Sequence, residues 1–250
     1  MRKPAGFKEE CRQDEEGQLI ISGSLGEKQK AFLMAMTDMK SILVTGHDYQ
    51  HSSLLVPAGT FSRKSAFGSL KATVDTSLML LYAMRSAAGD TLLFHSSTIV
   101  KDGKAYLFLG KSGTGKSTHS TQWLTYLPDT ELLNDDNPAL RFHPEDGTVW
   151  VYGTPWSGKT PCYKNKQVPA RAIVRLEQFP ENIIQREPAL KGFASILSSC
   201  STMIWYKPSY RQICDTISEI AKRVPVFYLK CRPDEEAARV CHAAIAKVYE

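Results

Sequence analysis

The sequence lacks the long apolar run that a membrane-spanning helix needs. Its most apolar candidate stretch, residues 78–84, is followed at once by Arg85 and is far shorter than the roughly 18 residues required. The first ten residues carry charges but no apolar segment, so we expect no secretory signal peptide. The sequence therefore predicts a cytoplasmic protein with no membrane partner.

Closely spaced cysteines are also missing. The six cysteines are spread over the 250 residues without a C-x-x-C pair, which favours reduced thiols over a disulfide framework. His47 and His51 stand four residues apart, but the turn residues around them and the lack of a third ligand favour a surface turn. We therefore expect no structural metal site.

A strong excess of charge of either sign is missing too. The chain has 31 Lys and Arg against 26 Asp and Glu, a net charge of +5. This balance suits an anionic ligand but falls short of a nucleic-acid-binding protein, so we expect no nucleic-acid partner. Apolar residues at 42% and charged residues at 23% are typical of a globular chain.

Strand and helix patterns alternate along the chain and predict an α/β fold with a mixed β-sheet. Apolar residues at helical spacing predict helices over residues 27–40 and 76–88. The most informative part begins at residue 91. We expect residues 1–90 to form an N-terminal accessory part of the same globular unit and residues 91–250 to form its core.

A hairpin opens this core. Residues 91–100 and 104–109 are β-branched and apolar, and the Asp-Gly pair at 102–103 is a type I′ turn signal. Counting outward from that turn places His95 opposite Gly110.

Residues 110–117 match G-x-x-x-x-G-K-[ST], the pattern of a loop that cradles phosphates. Its glycines allow backbone N–H groups to converge on phosphate oxygens at a helix N-terminus. In this pattern Lys116 reaches the β- and γ-phosphates, and the Ser117 hydroxyl ligates Mg²⁺. The predicted nucleotide-binding residues are Gly110, Lys111, Ser112, Gly113, Thr114, Gly115, Lys116, Ser117 and Thr118.

The same pattern occurs again at residues 153–160. Pro155 removes a backbone N–H from the would-be cradle, and Pro161 follows directly with no helical apolar period behind it. This second motif therefore predicts a loop and not a second nucleotide site. Two interpretations stay open: a plain surface loop, or a loop whose Lys159 lends positive charge to the phosphates or to a docking substrate.

Two carboxylates follow the next predicted strand. The passage from the strand before the first motif, through a helix, to a strand at 131–133 predicts a right-handed crossover with parallel strands. Ligands in such sheets lie beyond the carboxyl ends of the strands, so Asp135 and Asp136 would lie beside the phosphate loop. One can ligate Mg²⁺ and the other can accept a proton from an attacking hydroxyl. Asp and Asn residues followed by proline are also typical of a turn, so a turn without a catalytic role is the alternative.

His95, the hairpin, the G-x-S-G-x-G-K-S run at 110–117 and the pair Asp135 and Asp136 resemble the catalytic domain of bacterial HPr serine kinase/phosphorylase. That domain belongs to the phosphoenolpyruvate-carboxykinase-like group of phosphate-loop folds. The resemblance covers about residues 91–153. In place of the family's L-L-E-I-R-G-L-G signature stands V-Y-G-T-P-W, so the chain looks more like the short HPr-kinase-like proteins, whose targets vary.

The resemblance implies catalytic roles for His95, Lys116, Asp135 and Asp136. Asp135 would be the base, and Asp136 its electrostatic partner and, with Ser117, a magnesium ligand. The implied activity is ATP-dependent, Mg²⁺-dependent phosphorylation of a serine hydroxyl on a protein or peptide partner, and it is compatible with a homo-oligomer. Two alternatives stay open: a carboxykinase-like enzyme for a small carboxylic acid, and a nucleotide-binding switch without transfer activity.

Overall fold

The computed structural model of the protein describes residues 3–15, 18–36, 39–62, 67–158, 160–202 and 207–250. The chain forms two compact units, Met1–Arg85 and Ser86–Glu250. That residues 1–90 form an accessory part of the same globular unit as residues 91–250 stays a prediction.

The first unit is an antiparallel meander followed by a helix. In sheet order its five strands are β1 (Phe7–Glu15), β2 (Gln18–Leu25), β3 (Gln29–Met36), β4 (Met39–Gly46) and β5 (Ser52–Leu55). After a short 3-10 turn at Thr60–Ser62 comes the helix α1 (Phe67–Ala87), whose residues up to Arg85 belong to the first unit. The predicted helix at 76–88 is confirmed as the second half of α1.

The predicted helix at 27–40 is wrong, because residues 29–36 form β3 and residues 39–40 begin β4. Four consecutive residues of β3 are fully buried, namely Ala31, Phe32, Leu33 and Met34. A strand that is buried on both faces is apolar at every position, and such a run also contains apolar pairs at helical spacing. Periodicity alone does not separate the two structures.

The second unit is built on a mixed sheet in the order β6-β10-β11-β12-β8-β7-β9, with β14 paired to β12 and β13 paired to β14. β12 lies parallel to β8 and β14, and the remaining pairs are antiparallel. The mixed α/β fold is thereby confirmed. The strands are β6 (Thr91–Leu93), β7 (Ser96–Lys101), β8 (Lys104–Leu109), β9 (Thr130–Asn134), β10 (Ala139–His143), β11 (Thr148–Tyr152), β12 (Gln167–Gln178), β13 (Ile183–Arg186) and β14 (Val226–Cys231).

Helices cover both faces of this sheet. They are α2 (Lys116–Tyr126), α3 (Ala189–Leu197), α4 (Lys207–Arg223) and α5 (Glu235–Ala246). Alternate residues of β8 point to opposite sides: Leu107 packs in one cluster with residues of α3 and α4, and Phe108 packs in another with residues of α2 and α5. β8, and the loop that leaves its end, is therefore held from both sides.

The hairpin register is confirmed. Lys101 pairs with Lys104, and Ser96 pairs with Leu109, so His95 comes opposite Gly110. Asp102 and Gly103 both have positive φ, at 51° and 69°, as a type I′ turn requires.

The direction predicted for the strand after the helix is also confirmed. β9 lies antiparallel to β7, and β7 lies antiparallel to β8, so β8 and β9 run the same way with β7 between them. Their carboxyl ends therefore meet at one edge of the sheet. That edge carries the phosphate-loop motif after β8 and the two aspartates after β9.

Candidate functional site

The first motif forms a tight loop between β8 and α2. Gly113 and Gly115 have φ of 77° and 99°, a left-handed conformation that favours glycine. A Cβ at either position would meet no described heavy atom within 4 Å. The loop is closed on itself by the backbone N–H and the hydroxyl of Thr114, which donate to the Lys111 carbonyl at 3.1 and 2.7 Å. The glycines therefore serve the backbone conformation and leave its outer surface open.

Lys116 points back under this loop. Its Nζ donates to the carbonyl oxygens of Gly110 at 3.0 Å and Lys111 at 3.3 Å. The residue is only 8% exposed. Burial lowers the pKa of Lys116, while the carboxylates of Asp136 and Asp135 act in the opposite direction. The ammonium group of Lys116 thus lies against the first two residues of the loop, where burial disfavours its charge and two carboxylates favour it.

His95 links this lysine to the aspartates. Lys116 Nζ donates to His95 Nε2 at 2.9 Å, and His95 Nδ1 lies 3.1 Å from Asp136 Oδ1. Because an ammonium group has only donors, Nε2 is the acceptor, and the neutral imidazole carries its proton on Nδ1 and donates it to Asp136. The backbone is fixed as well, since the N–H of Ser96 donates to the Asp136 carbonyl at 2.9 Å.

Asp135 accepts two hydroxyl hydrogen bonds. Ser97 Oγ donates to Oδ1 at 2.5 Å, and Thr160 Oγ1 donates to Oδ2 at 2.7 Å. Ser97 is fully buried on β7 and also lies 2.6 Å from the hydroxyl of Ser120 on α2. Sequence reasoning missed these three hydroxyls. The available signal was the period of two along β7, which places Ser97 on the same face as His95.

The second motif is a loop, as predicted. Residues 153–158 and 160–166 contain no helix or strand, in contrast to the helix that follows Gly115. Lys159 lies outside the described residues, so the charge predicted for it at the phosphates stays a prediction. The loop is exposed at Pro155, Gly158 and Thr160, and it also contacts the aspartates, since Thr160 donates to Asp135 and Gly158 lies against Asp136.

Beside the loop of the first motif lies a cleft of about 670 Å³. One wall comes from the loop and α2, with Thr114, Gly115, Thr118 and His119, and the other comes from the ends of β12 and β14. The second wall includes Phe179, Pro180, Arg232 and Pro233. Sequence reasoning missed this second wall, because only the pairing of β12 with β8 and β14 brings these segments beside the loop.

A smaller cleft of about 150 Å³ lies on the other side of Gly110, lined by His95, Lys111 and Arg175 among others. Arg175 is paired with Leu109 across the strands, and its guanidinium donates to the Ser198 hydroxyl at 2.6 Å. Among the described residues it forms no ion pair with a carboxylate. Lys111 and Arg175 therefore bring positive charge to this smaller cleft.

No protein-family model and no curated protein sequence matches the chain. Among solved structures, it is similar to the HPr(Ser) kinase/phosphatase of Coxiella burnetii, with 14% sequence identity and a TM-score of 0.35. The match covers 62% of this chain and 98% of that chain. A likeness of that size carries no argument about activity. Separately, none of the helices in the described part of the chain is long and apolar enough to span a membrane.

Proposed function

We propose that the protein is a kinase that binds MgATP through residues 110–118 and transfers the γ-phosphoryl group to a serine hydroxyl of a protein or peptide. The observation that carries the proposal is the hydrogen-bonded chain from Lys116 through His95 to Asp136, with Asp135 next to it. It brings a cation for the phosphates and a pair of carboxylates to one edge of the sheet. The order of the same motifs along the sequence supports this reading.

The phosphates belong at the open face of the loop. The left-handed glycines and the N-terminus of α2 suit an anion there. When nucleotide binds, Lys116 can exchange its hydrogen bonds to the loop carbonyls for hydrogen bonds to phosphate oxygens. These are stronger, because both partners are charged. The cleft of about 670 Å³ begins at Thr114 and Thr118, so the nucleoside part of ATP is expected to lie in it.

A magnesium ion fits the donors that are present. In the described ranges, no group of three or more His, Cys, Asp and Glu side chains is arranged to hold a metal. Mg²⁺ in phosphoryl-transfer sites relies on substrate phosphates, water and only one or two protein oxygens. Ser117 and Asp136 would supply those oxygens. The ion would neutralise charge on the phosphates.

Asp135 is the residue proposed to accept the proton of the acceptor hydroxyl. Each carboxylate oxygen has two lone pairs, so the bonds from Ser97 and Thr160 leave capacity for a third donor. One oxygen of Asp136 is bonded to His95, which in turn is bonded to Lys116. Asp136 is therefore the better placed of the two aspartates to interact with Lys116 and with Mg²⁺. General-base help of this kind is worth about 10²–10⁴-fold.

Product analysis with γ-labelled ATP tests the proposal. Label on a protein or peptide serine is the expected outcome. Label on a small carboxylic acid indicates a carboxykinase-like enzyme, and binding without any labelled product or released phosphate indicates a switch.

Asp135→Asn sharpens this test. We expect it to keep MgATP affinity while losing turnover by about 10²–10⁴-fold, because the base acts mainly in the transition state. Asp136→Asn is the matched variant and should also weaken Mg²⁺-dependent binding. Wild-type turnover in both variants would contradict the mechanism.

A further inference from the structure

The second motif contacts the aspartate pair at several points, although it does not form a phosphate cradle. Its first residues are joined to the turn that carries the aspartates. The Thr154 hydroxyl donates to the Asn137 carbonyl at 2.7 Å, and the Asn137 N–H donates to the Trp156 carbonyl at 3.1 Å. Asn134, which is fully buried, donates its side-chain amide to the carbonyl and hydroxyl of Thr154 at 3.3 and 3.2 Å.

The middle of the loop approaches the aspartates closely. Gly158 has a φ of 59°, and a Cβ added there would lie 3.1 Å from Asp136 Cβ and 3.3 Å from the Asp135 carbonyl. Glycine favours this conformation, and a Cβ here would force a neighbour to move by a few tenths of an ångström. The loop then delivers Thr160, whose hydroxyl donates to Asp135 Oδ2 at 2.7 Å.

Asp135 is consequently held from two directions. Ser97 reaches Oδ1 from the buried side of the sheet, and Thr160 reaches Oδ2 from the exposed loop. Two donors on different oxygens determine the plane of the carboxylate, and thus the directions of the lone pairs that remain. A catalytic base must lie within hydrogen-bond reach of the proton it takes, and a misplacement of about 1 Å can cost about 10²-fold in rate.

We propose that Thr160 is a positioning residue, which together with Ser97 holds Asp135 in the orientation that accepts the proton of the acceptor hydroxyl. This proposal rests on the proposed kinase function. It assigns the second G-x-x-x-x-G-K-[ST] motif a role on the acceptor side of the site, through its threonine.

The test compares Thr160→Val, which has nearly the same shape without the hydroxyl, with Thr160→Ser, which keeps the hydroxyl. MgATP is the probe, with water as the acceptor, and kcat, KM and nucleotide affinity are measured for each. We expect Thr160→Val to lower kcat about 10- to 100-fold with KM within about twofold. Thr160→Ser should stay within about threefold of wild type. Thr125→Val removes an exposed helix hydroxyl elsewhere and should match wild type.

Each other outcome is decisive. A wild-type kcat in Thr160→Val overturns the positioning role alone, and so does a Thr160→Ser variant as slow as Thr160→Val, because packing would then explain the effect. Phosphate found on Thr160 by intact mass after incubation with MgATP overturns it too, since the hydroxyl would be an acceptor.

A wild type that binds MgATP without turnover overturns the positioning role, because an oriented base would act on water. A wild type that does not bind MgATP overturns the proposed function as well.

Discussion

Two segments of this chain match the same eight-residue pattern and fold differently. After Gly115 the chain enters α2, whereas residues 160–166, which follow the second copy's last glycine, form no helix or strand. The difference follows from two prolines, because Pro155 inside the second motif and Pro161 directly after it remove backbone donors, and no helical apolar period follows. The phosphate-loop pattern therefore predicts a nucleotide site only where a strand precedes it and a helix follows it, and not from its glycines and lysine alone.

The glycines of the two segments have different structural roles. In the first motif, Gly113 and Gly115 adopt left-handed conformations with open space around them, which suits a surface for a ligand. In the second, a Cβ on Gly153 would lie 2.1 Å from the Lys164 carbonyl oxygen, and Gly158 lies against Asp136. There the glycines permit close packing of the protein against itself. Gly153→Ala is therefore a test of folding and not of nucleotide binding.

The largest expected effect separates the two lysines of the pattern. Lys116→Met should lower MgATP turnover about 10³-fold, the loss typical of removing one donor to developing charge. Lys159→Met, the matched change in the second motif, should lower turnover far less, because residues 160–166 contain no helix that would place a phosphate cradle behind Lys159. Calorimetric binding and steady-state kinetics measure both.

Thermal unfolding provides the folding control for this pair. Lys116→Met removes the donor to His95 and to two loop carbonyls, so its Tm shows how much of any activity loss comes from reduced stability. Equal losses of activity in the two lysine variants would contradict the distinction between the motifs.

The helix behind the first motif predicts an acid-sensitive stability. His119 on α2 is buried, accepts a hydrogen bond from Trp123 Nε1 at 3.0 Å, and burial lowers its pKa to about 4. The unfolded chain then binds the proton first, so folding stability falls as pH drops from 6.5. The loss from His119 reaches about 3 kcal/mol near pH 4.

His119→Gln should show a shallower loss of stability between those pH values. All four tryptophans lie within Ser86–Glu250, so their fluorescence reports unfolding of the second unit. His47→Gln, at an exposed histidine of the first unit, is the control and should follow wild type. Identical pH profiles for His119→Gln and wild type would disprove the role of His119.

The smallest expected effect compares glycines. Gly158→Ala should lower turnover about tenfold and leave MgATP affinity within about threefold, because its Cβ displaces the loop that contacts Asp135 and Asp136. Gly113→Ala introduces similar backbone strain at φ 77° without any contact to the aspartates. It should weaken MgATP affinity instead. If both variants change the same parameter, the two glycines do not serve separate functions.

Local sequence patterns predicted part of the fold in both units. The Asp-Gly turn determined the hairpin register, and from the register His95 was expected at Gly110, as the structure confirms. The helix predicted at 27–40 failed because a fully buried strand carries the same apolar residues. The second wall of the cleft could not be predicted, since it depends on the pairing of β12 with β8 across more than 60 residues of chain.

Local sequence patterns were enough to predict the strand, loop and helix of the first motif, the hairpin before it and two aspartates at a strand end. These features depend on turn geometry and periodicity, which act over a few residues. The hydrogen-bonded chain of Lys116, His95 and Asp136, and the contact of Thr160 with Asp135 across 25 positions of sequence, required the folded structure. Such contacts depend on how strands order themselves in the sheet, and that order is set by packing of the whole unit.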